Sequence, residues 1–243
     1  MKFIWVLMLT LAAAFALTPE AIVKKSEDLM RGDTGYGEYE MIIKSPRYER
    51  TLLMESWGEG TKRSFIRILQ PKRDAGTTFL KLDNELWQYV PRIERTVKIP
   101  PSMMLQQWMG SDFTNDDMVK ESSMAEDYDA KLIEETEKSW LIALTPKPEA
   151  AVVWGRIEAR IAKEGFLPQE DRFYDEKGVL VRTMHFSEVK KMDDRVIPTV
   201  WRIVSETEEK KGNETTLIIK KATFNRALPE DIFTLRALKS YSR

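Results

Sequence analysis

Hydrophobic positions follow three patterns along this chain. The first is an unbroken apolar run, Phe3 to Ala16, behind a single charge at Lys2. The second is a helical stripe. Ala21, Ile22, Lys25, Leu29 and Met30 share one face of a helix that Thr18 caps and Pro19 begins, with Glu20 favourably placed against the helix dipole and Gly32 as its end. The third pattern is alternation, which predicts strands over residues 35–44, 47–57, 62–69, 77–82, 85–90 and 93–99. It returns at 131–136, 140–144, 168–174, 179–189, 197–206 and 215–224. Residues 152–162 read two ways, because Val153, Ile157 and Ile161 share a face in a strand or a helix. Gly155 weakens the helical reading and favours a strand. Turn residues separate these runs at Gly58-Glu59-Gly60, Asp83-Asn84, 175–178 and 210–213.

About ten or eleven strands joined mostly by short turns imply a mainly β fold of the α+β kind. The expected architecture is one large antiparallel sheet, curled or partly closed, with helices over its concave face. The middle of the chain interrupts the pattern. Pro100-Pro101 stops a strand, 102–110 resembles a short capped helix ending at Gly110, and 111–118 is polar and loop-like. This stretch is the expected lid or insert over the sheet. A last short turn is expected at 229–233. There is no fixed-period repeat and no evident linker, so residues 17–243 are expected to form one domain.

The ends and the composition narrow the setting. Phe3 to Ala16 is shorter than the roughly 20 apolar residues of a spanning helix, and it closes on Ala14-Phe15-Ala16, a small-residue cleavage pattern. Residues 1–16 are therefore expected to be a cleaved signal peptide, a retained anchor being the alternative. The chain has no cysteine, which excludes disulfides, cysteine zinc sites, thiol catalysis and a lipid-modified cysteine. An exported chain of this kind is expected to be soluble. With 38 basic and 39 acidic residues the net charge is −1, which gives no electrostatic case for nucleic acid.

Catalytic signals are weak. One histidine, His185, sits inside a predicted strand, where a hydrogen-bonded structural role is its plain reading; a lone histidine without cysteine disfavours zinc. Asp112, Asn115, Asp116 and Asp117 form an acidic cluster without the alternate spacing or central glycine of a calcium loop, so loop capping explains them better. Nucleophile-elbow, phosphate-loop and metalloprotease motifs are missing. Paired carboxylates for glycoside hydrolysis are uninformative among 39 acidic residues. Asn213-Glu214-Thr215 is a glycosylation sequon that has no meaning in a bacterial host. The reading is of a protein that is not an enzyme and needs no cofactor.

Large apolar groups are the positive signal. Trp57, Trp87, Tyr89, Trp108 and Phe113 fall in one half of the chain together with Met103, Met104 and Met109. Methionine adapts to irregular ligands, and a curled sheet beneath a Met-rich segment would enclose an apolar cavity. The candidate cavity or lid residues are Trp57, Ile66, Leu80, Trp87, Tyr89, Met103, Met104, Leu105, Trp108, Met109 and Phe113. The competing explanation is that they simply fill the core.

Residues 87–117 carry a further signal. Trp87-Gln88-Tyr89-Val90-Pro91 and Trp108-Met109-Gly110-Ser111-Asp112-Phe113 resemble the bacterial outer-membrane lipoprotein-sorting protein family, the LolA-like group, in its less characterised branch. Gly76 to Lys81, Phe173-Tyr174-Asp175 with Gly178, and the ending Leu228 to Leu235 extend the resemblance over nearly the whole chain after residue 16. It implies an open β half-barrel with helices across the concave side. It also implies a periplasmic carrier that holds lipid or lipoprotein acyl chains for transfer between envelope membranes, with an inner-membrane exporter and an outer-membrane acceptor as partners. The alternative is an envelope adaptor or sensor that docks on such a complex through the same apolar surface.

Overall fold

The computed structural model describes residues 17–242 apart from Asn84, 120–122 and Ala151. The expected signal peptide lies outside the described residues. The first helix, α1 (Pro19–Arg31), has the expected ends: the Thr18 hydroxyl accepts from the Ala21 amide, and Gly32 closes it at φ 75°. Its buried face is Ile22, Val23 and Ser26.

Among the described residues every segment expected to be extended forms its own strand, which makes thirteen rather than the ten or eleven expected. The N-terminal six are β1 (Thr34–Ser45), β2 (Tyr48–Glu59), β3 (Arg63–Gln70), β4 (Thr78–Leu82), β5 (Glu85–Val90) and β6 (Arg95–Ile99). The C-terminal seven are β7 (Tyr128–Glu135), β8 (Ser139–Pro146), β9 (Arg156–Ala162), β10 (Pro168–Tyr174), β11 (Leu180–Met192), β12 (Arg195–Ser205) and β13 (Glu214–Phe224). The ambiguous segment is thus strand β9.

All thirteen belong to one antiparallel sheet in the order β6-β5-β4-β3-β2-β1-β13-β12-β11-β10-β9-β8-β7. Each half is a meander, and the halves join where β1 pairs with β13, from Gly35 opposite Phe224 to Lys44 opposite Glu214. The outermost strands, β6 and β7, do not pair with each other, so the sheet stays open. They are nevertheless consecutive in sequence. Residues 100–127 must therefore travel from one edge of the sheet to the other, and we call this segment the strap.

The sheet curls toward the strap. Ile66, Phe79, Leu86 and Ile99 from one half share a single core with Ile142, Leu144, Ile157 and Ile161 from the other, together with Ile22, Val23 and Trp108. A flat sheet of this width could not bring those strands together. The opposite, convex face is covered only locally, by α4 (Leu235–Ser240), which packs Ala237 and Leu238 onto Trp57, Phe65, Leu80 and Tyr89. This helix follows the turn expected at 229–233 and was not foreseen.

Candidate ligand cavity on the concave face

The strap is not the expected helix. Residues 101–103 and 108–110 are single 3-10 turns, interrupted because Met109 takes φ 51° and Gly110 φ 76°. The motif Trp108 to Phe113 closes instead into a tight loop. The Trp108 amide donates to the Phe113 carbonyl at 2.8 Å, and the buried Ser111 hydroxyl donates to the Trp108 carbonyl at 2.7 Å. This loop drives Trp108 and Phe113 into the concave core, where Trp108 meets Phe79 at 5.2 Å between ring centroids. Two short helices follow, α2 (Asn115–Val119) and α3 (Met124–Asp127).

The acidic cluster anchors the strap. The Asp112 amide donates to the Thr215 hydroxyl of β13, which in turn donates to the Asp112 carboxylate at 2.8 Å. Asp117 accepts both from the Thr114 amide and from two guanidinium nitrogens of Arg182 on β11, each at 2.6 Å. Arg182 also lies over the rings of Trp154 and Phe173, at 4.5 and 4.4 Å. Its side chain is 4% exposed and that of Asp117 11%, so the pair sits in a low-dielectric setting. Burial alone would raise the Asp117 carboxyl, but the Arg182 charge and the hydrogen bonds from Arg182 and Thr114 hold it below the ordinary carboxylate value. Asp112 shows the reverse: burial pushes it up, against the hydrogen bond from Thr215. Among the described residues no group of three or more histidine, cysteine or acidic side chains is placed to hold a metal ion. His185 lies 3.3 Å from Glu170 across β10 and β11.

α1 lies against the strap and the sheet. Glu27 accepts from the Ser123 hydroxyl at 2.5 Å and from the Met124 amide at 2.6 Å, which ties α1 to the start of α3. Arg195 of β12 donates to the carbonyls of Asp28 and Leu29 at the helix C-terminus. Between these attachments is an apolar cavity of about 260 Å³. Its walls are Ser26, Glu27, Met30 and Arg31 from α1, Phe113, Asp117 and Met124 from the strap, and Pro168, Asp171, Phe173, Met184, Phe186 and Trp201 from β10 to β12. A second cavity of about 150 Å³ adjoins it beneath the end of α1, among Tyr39, Ile197, Trp201, Ile219 and Phe224. Met30, Arg31 and Trp201 border both.

The structure divides the eleven candidate residues. Ile66, Trp108 and Phe113 are buried in the concave core, and Met104 and Met109 pack against it half-buried. Phe113 reaches the larger cavity. Met103 and Leu105 face outward, 38% and 60% exposed. Trp57, Leu80 and Tyr89 belong to the convex core with α4, and Trp87 packs beside them. The cause is the two-residue period of a strand: Met54, Ile66, Phe79 and Leu86 point one way, their neighbours the other. Much of the cavity wall comes from residues outside the eleven candidates, among them Met30, Phe173, Met184, Phe186 and Trp201. The alternation of Arg182, Met184 and Phe186 along β11 was the available signal.

Comparison with known proteins agrees with this architecture. A family model described as like an uncharacterized protein matches residues 60–240. The chain belongs to that family. No curated protein matches it. Among solved structures, a DUF1329 family protein from Desulfovibrio piger superposes with a TM-score of 0.80 at 21% identity, covering 90% of this chain and 97% of that one. A LolA superfamily protein from Nitrosomonas europaea gives 0.77 at 19% identity, over 91% of this chain and 100% of that one. A domain described as belonging to an outer membrane lipoprotein-sorting protein from Vibrio parahaemolyticus gives 0.75 at 21% identity, over 89% and 97%. The resemblance read from Trp87 to Asp117 is thus borne out, and the fold is that of the LolA-like half-barrels. Among the described residues no helix is long and apolar enough to cross a membrane.

Proposed function

We propose that this family member is a periplasmic carrier that takes lipid or lipoprotein acyl chains into the concave cavity for transfer between envelope membranes. The observation that carries the reading is the apolar space of about 260 Å³ bordered by α1, the strap and β10 to β12. Three methionines, Met30, Met124 and Met184, line it, and their flexible side chains suit a ligand of variable shape. Each methylene buried there contributes about 0.8 kcal/mol, so a few of them offset much of the cost of leaving a bilayer. The space is near the lower limit of ligand pockets, about 300 Å³. A longer chain enters the adjoining cavity or displaces α1. The names of the solved relatives from Nitrosomonas and Vibrio support this reading, and transfer by binding alone asks nothing of a catalytic group.

The test is native mass spectrometry of the protein purified from a periplasmic extract, paired with titration of a fluorescent fatty acid. Co-purified lipid and saturable binding are expected. Met30→Trp should fill the junction of the two cavities and abolish binding without unfolding the protein. An empty protein that binds no fatty acid would sink the carrier reading. It would favour the second, an adaptor docking on an exporter or assembly complex, for which the exposed Ile93, Val97 and Leu105 at the β6 end of the sheet are the specific observation.

A further inference from the structure

We infer that Arg31 is the anion-binding residue of the cavity, and that the ligand is therefore an amphiphile bearing a single negative charge, a carboxylate or a phosphodiester, at the head of its apolar chain. The inference rests on the carrier reading above and goes on to assign the head-group chemistry.

Position is the first argument. Arg31, half-buried in the last turn of α1, borders both apolar cavities and also a third, polar space of about 470 Å³ on the solvent side. Lys24, Arg195 and Asn225 help to line that third space. A chain lying in the apolar cavity with its head toward solvent passes Arg31 where one kind of wall gives way to the other.

The second argument is that the structure makes no other use of this charge. An arginine in a last helical turn commonly serves the terminal carbonyls, but here Arg195 donates to those of Asp28 and Leu29, at 2.6 and 2.9 Å. The nearby carboxylates of α1 are engaged elsewhere. Asp28 pairs with Lys24 at 2.8 Å, and Glu27 is held by Ser123 and the Met124 amide. Among the described residues the Arg31 guanidinium forms no hydrogen bond or ion pair. A guanidinium keeps its proton at all relevant pH values, so a permanent positive charge stands at the cavity mouth without a carboxylate in direct contact. Its planar fork matches a carboxylate or phosphate in two-point contact.

The third argument limits the ligand's charge. Exposed Glu126 borders the same polar space, as does exposed Asp33. Their carboxylates repel a second negative charge, so a monoanionic head is favoured over a polyanionic one.

The test measures displacement of the uncharged probe N-phenyl-1-naphthylamine at pH 8 by three ligands of equal chain length: palmitate, palmitoyl lysophosphatidylglycerol and hexadecanol. The wild-type chain should prefer at least one anionic ligand over hexadecanol by about tenfold or more, the usual size of a charge-assisted contact. Which one it prefers separates a carboxylate from a phosphodiester head. Arg31→Gln should erase the preference while leaving hexadecanol binding intact, which also reports that the variant is folded. Arg31→Lys should keep part of it. Equal binding of all three ligands by the wild type, or a preference that survives Arg31→Gln, overturns the assignment and leaves the carrier reading standing. Failure of every ligand, hexadecanol included, to displace the probe overturns both.

Discussion

Two aspartates five positions apart in the strap respond to burial in opposite ways. Asp117 has a full set of donors from Arg182 and Thr114, and its carboxyl is held low. Asp112 has one hydroxyl and the charges of Lys210 and Arg182 to set against desolvation, and its carboxyl is raised. The consequences for stability have opposite signs. The Asp117 contribution is complete above the unfolded carboxylate value, about 3.9, and is lost as pH falls through the lower folded one. Ionised Asp112 is a cost at neutral pH, relieved as pH falls through its raised value. Asp117→Asn should therefore destabilise the protein by about 3–5 kcal/mol at pH 7, since it leaves Arg182 buried without its counter-ion. That loss should shrink toward pH 2. Asp112→Asn should leave stability unchanged or higher at pH 7. Urea denaturation of both variants across that range checks the contrast, and equal losses at pH 7 would refute it.

At the level of elements, the strands were legible because turn residues and alternation act locally. Residues 85–90 and 168–174 match their observed bounds within a residue. The strap was not legible as a structure. A helix over 102–110 satisfies local propensity, but the loop that replaces it depends on Thr215 and Arg182, far along the chain, and on Met109 accepting positive φ. The faces of β2 to β5 were equally hidden. Both sides of those strands are apolar, because α4 covers the convex side, and nothing within the strands says which side meets the cavity. The clasp between α1 and α3 belongs to this scale as well. It rests on one carboxylate, Glu27, at the boundary of the apolar cavity. Glu27→Ala should speed amide hydrogen exchange over 123–127 and in the last turn of α1, with little change in the exchange of β1 to β5. Uniform protection in wild type and variant would show that the clasp does not hold the cavity shut.

For the whole molecule, the open sheet requires a different partner on each face. Among the described residues the concave side is covered by α1 and the strap, and the convex side by residues 228–242 over β2 to β5. A chain ending at Arg226 should keep every strand yet expose Trp57, Phe65, Leu80 and Tyr89, a contiguous apolar patch of the kind that drives association. Size-exclusion chromatography should show aggregation, and near-ultraviolet circular dichroism should show loss of the fixed tryptophan signal; a monomeric truncated chain with an intact signal would contradict the second core.

The junction of β1 with β13 has one more consequence. It joins the first strand to be synthesised to the last, and the cavity draws its walls from α1, the strap and β10 to β12. As the chain emerges, its early half can form a meander of local hairpins, but that half supplies none of the β10 to β12 wall. The seam must wait for the final strand, and so long-range a closure is slow. The larger cavity is therefore a late product of folding: its walls come together only once α1, the strap and β10 to β12 are all in place.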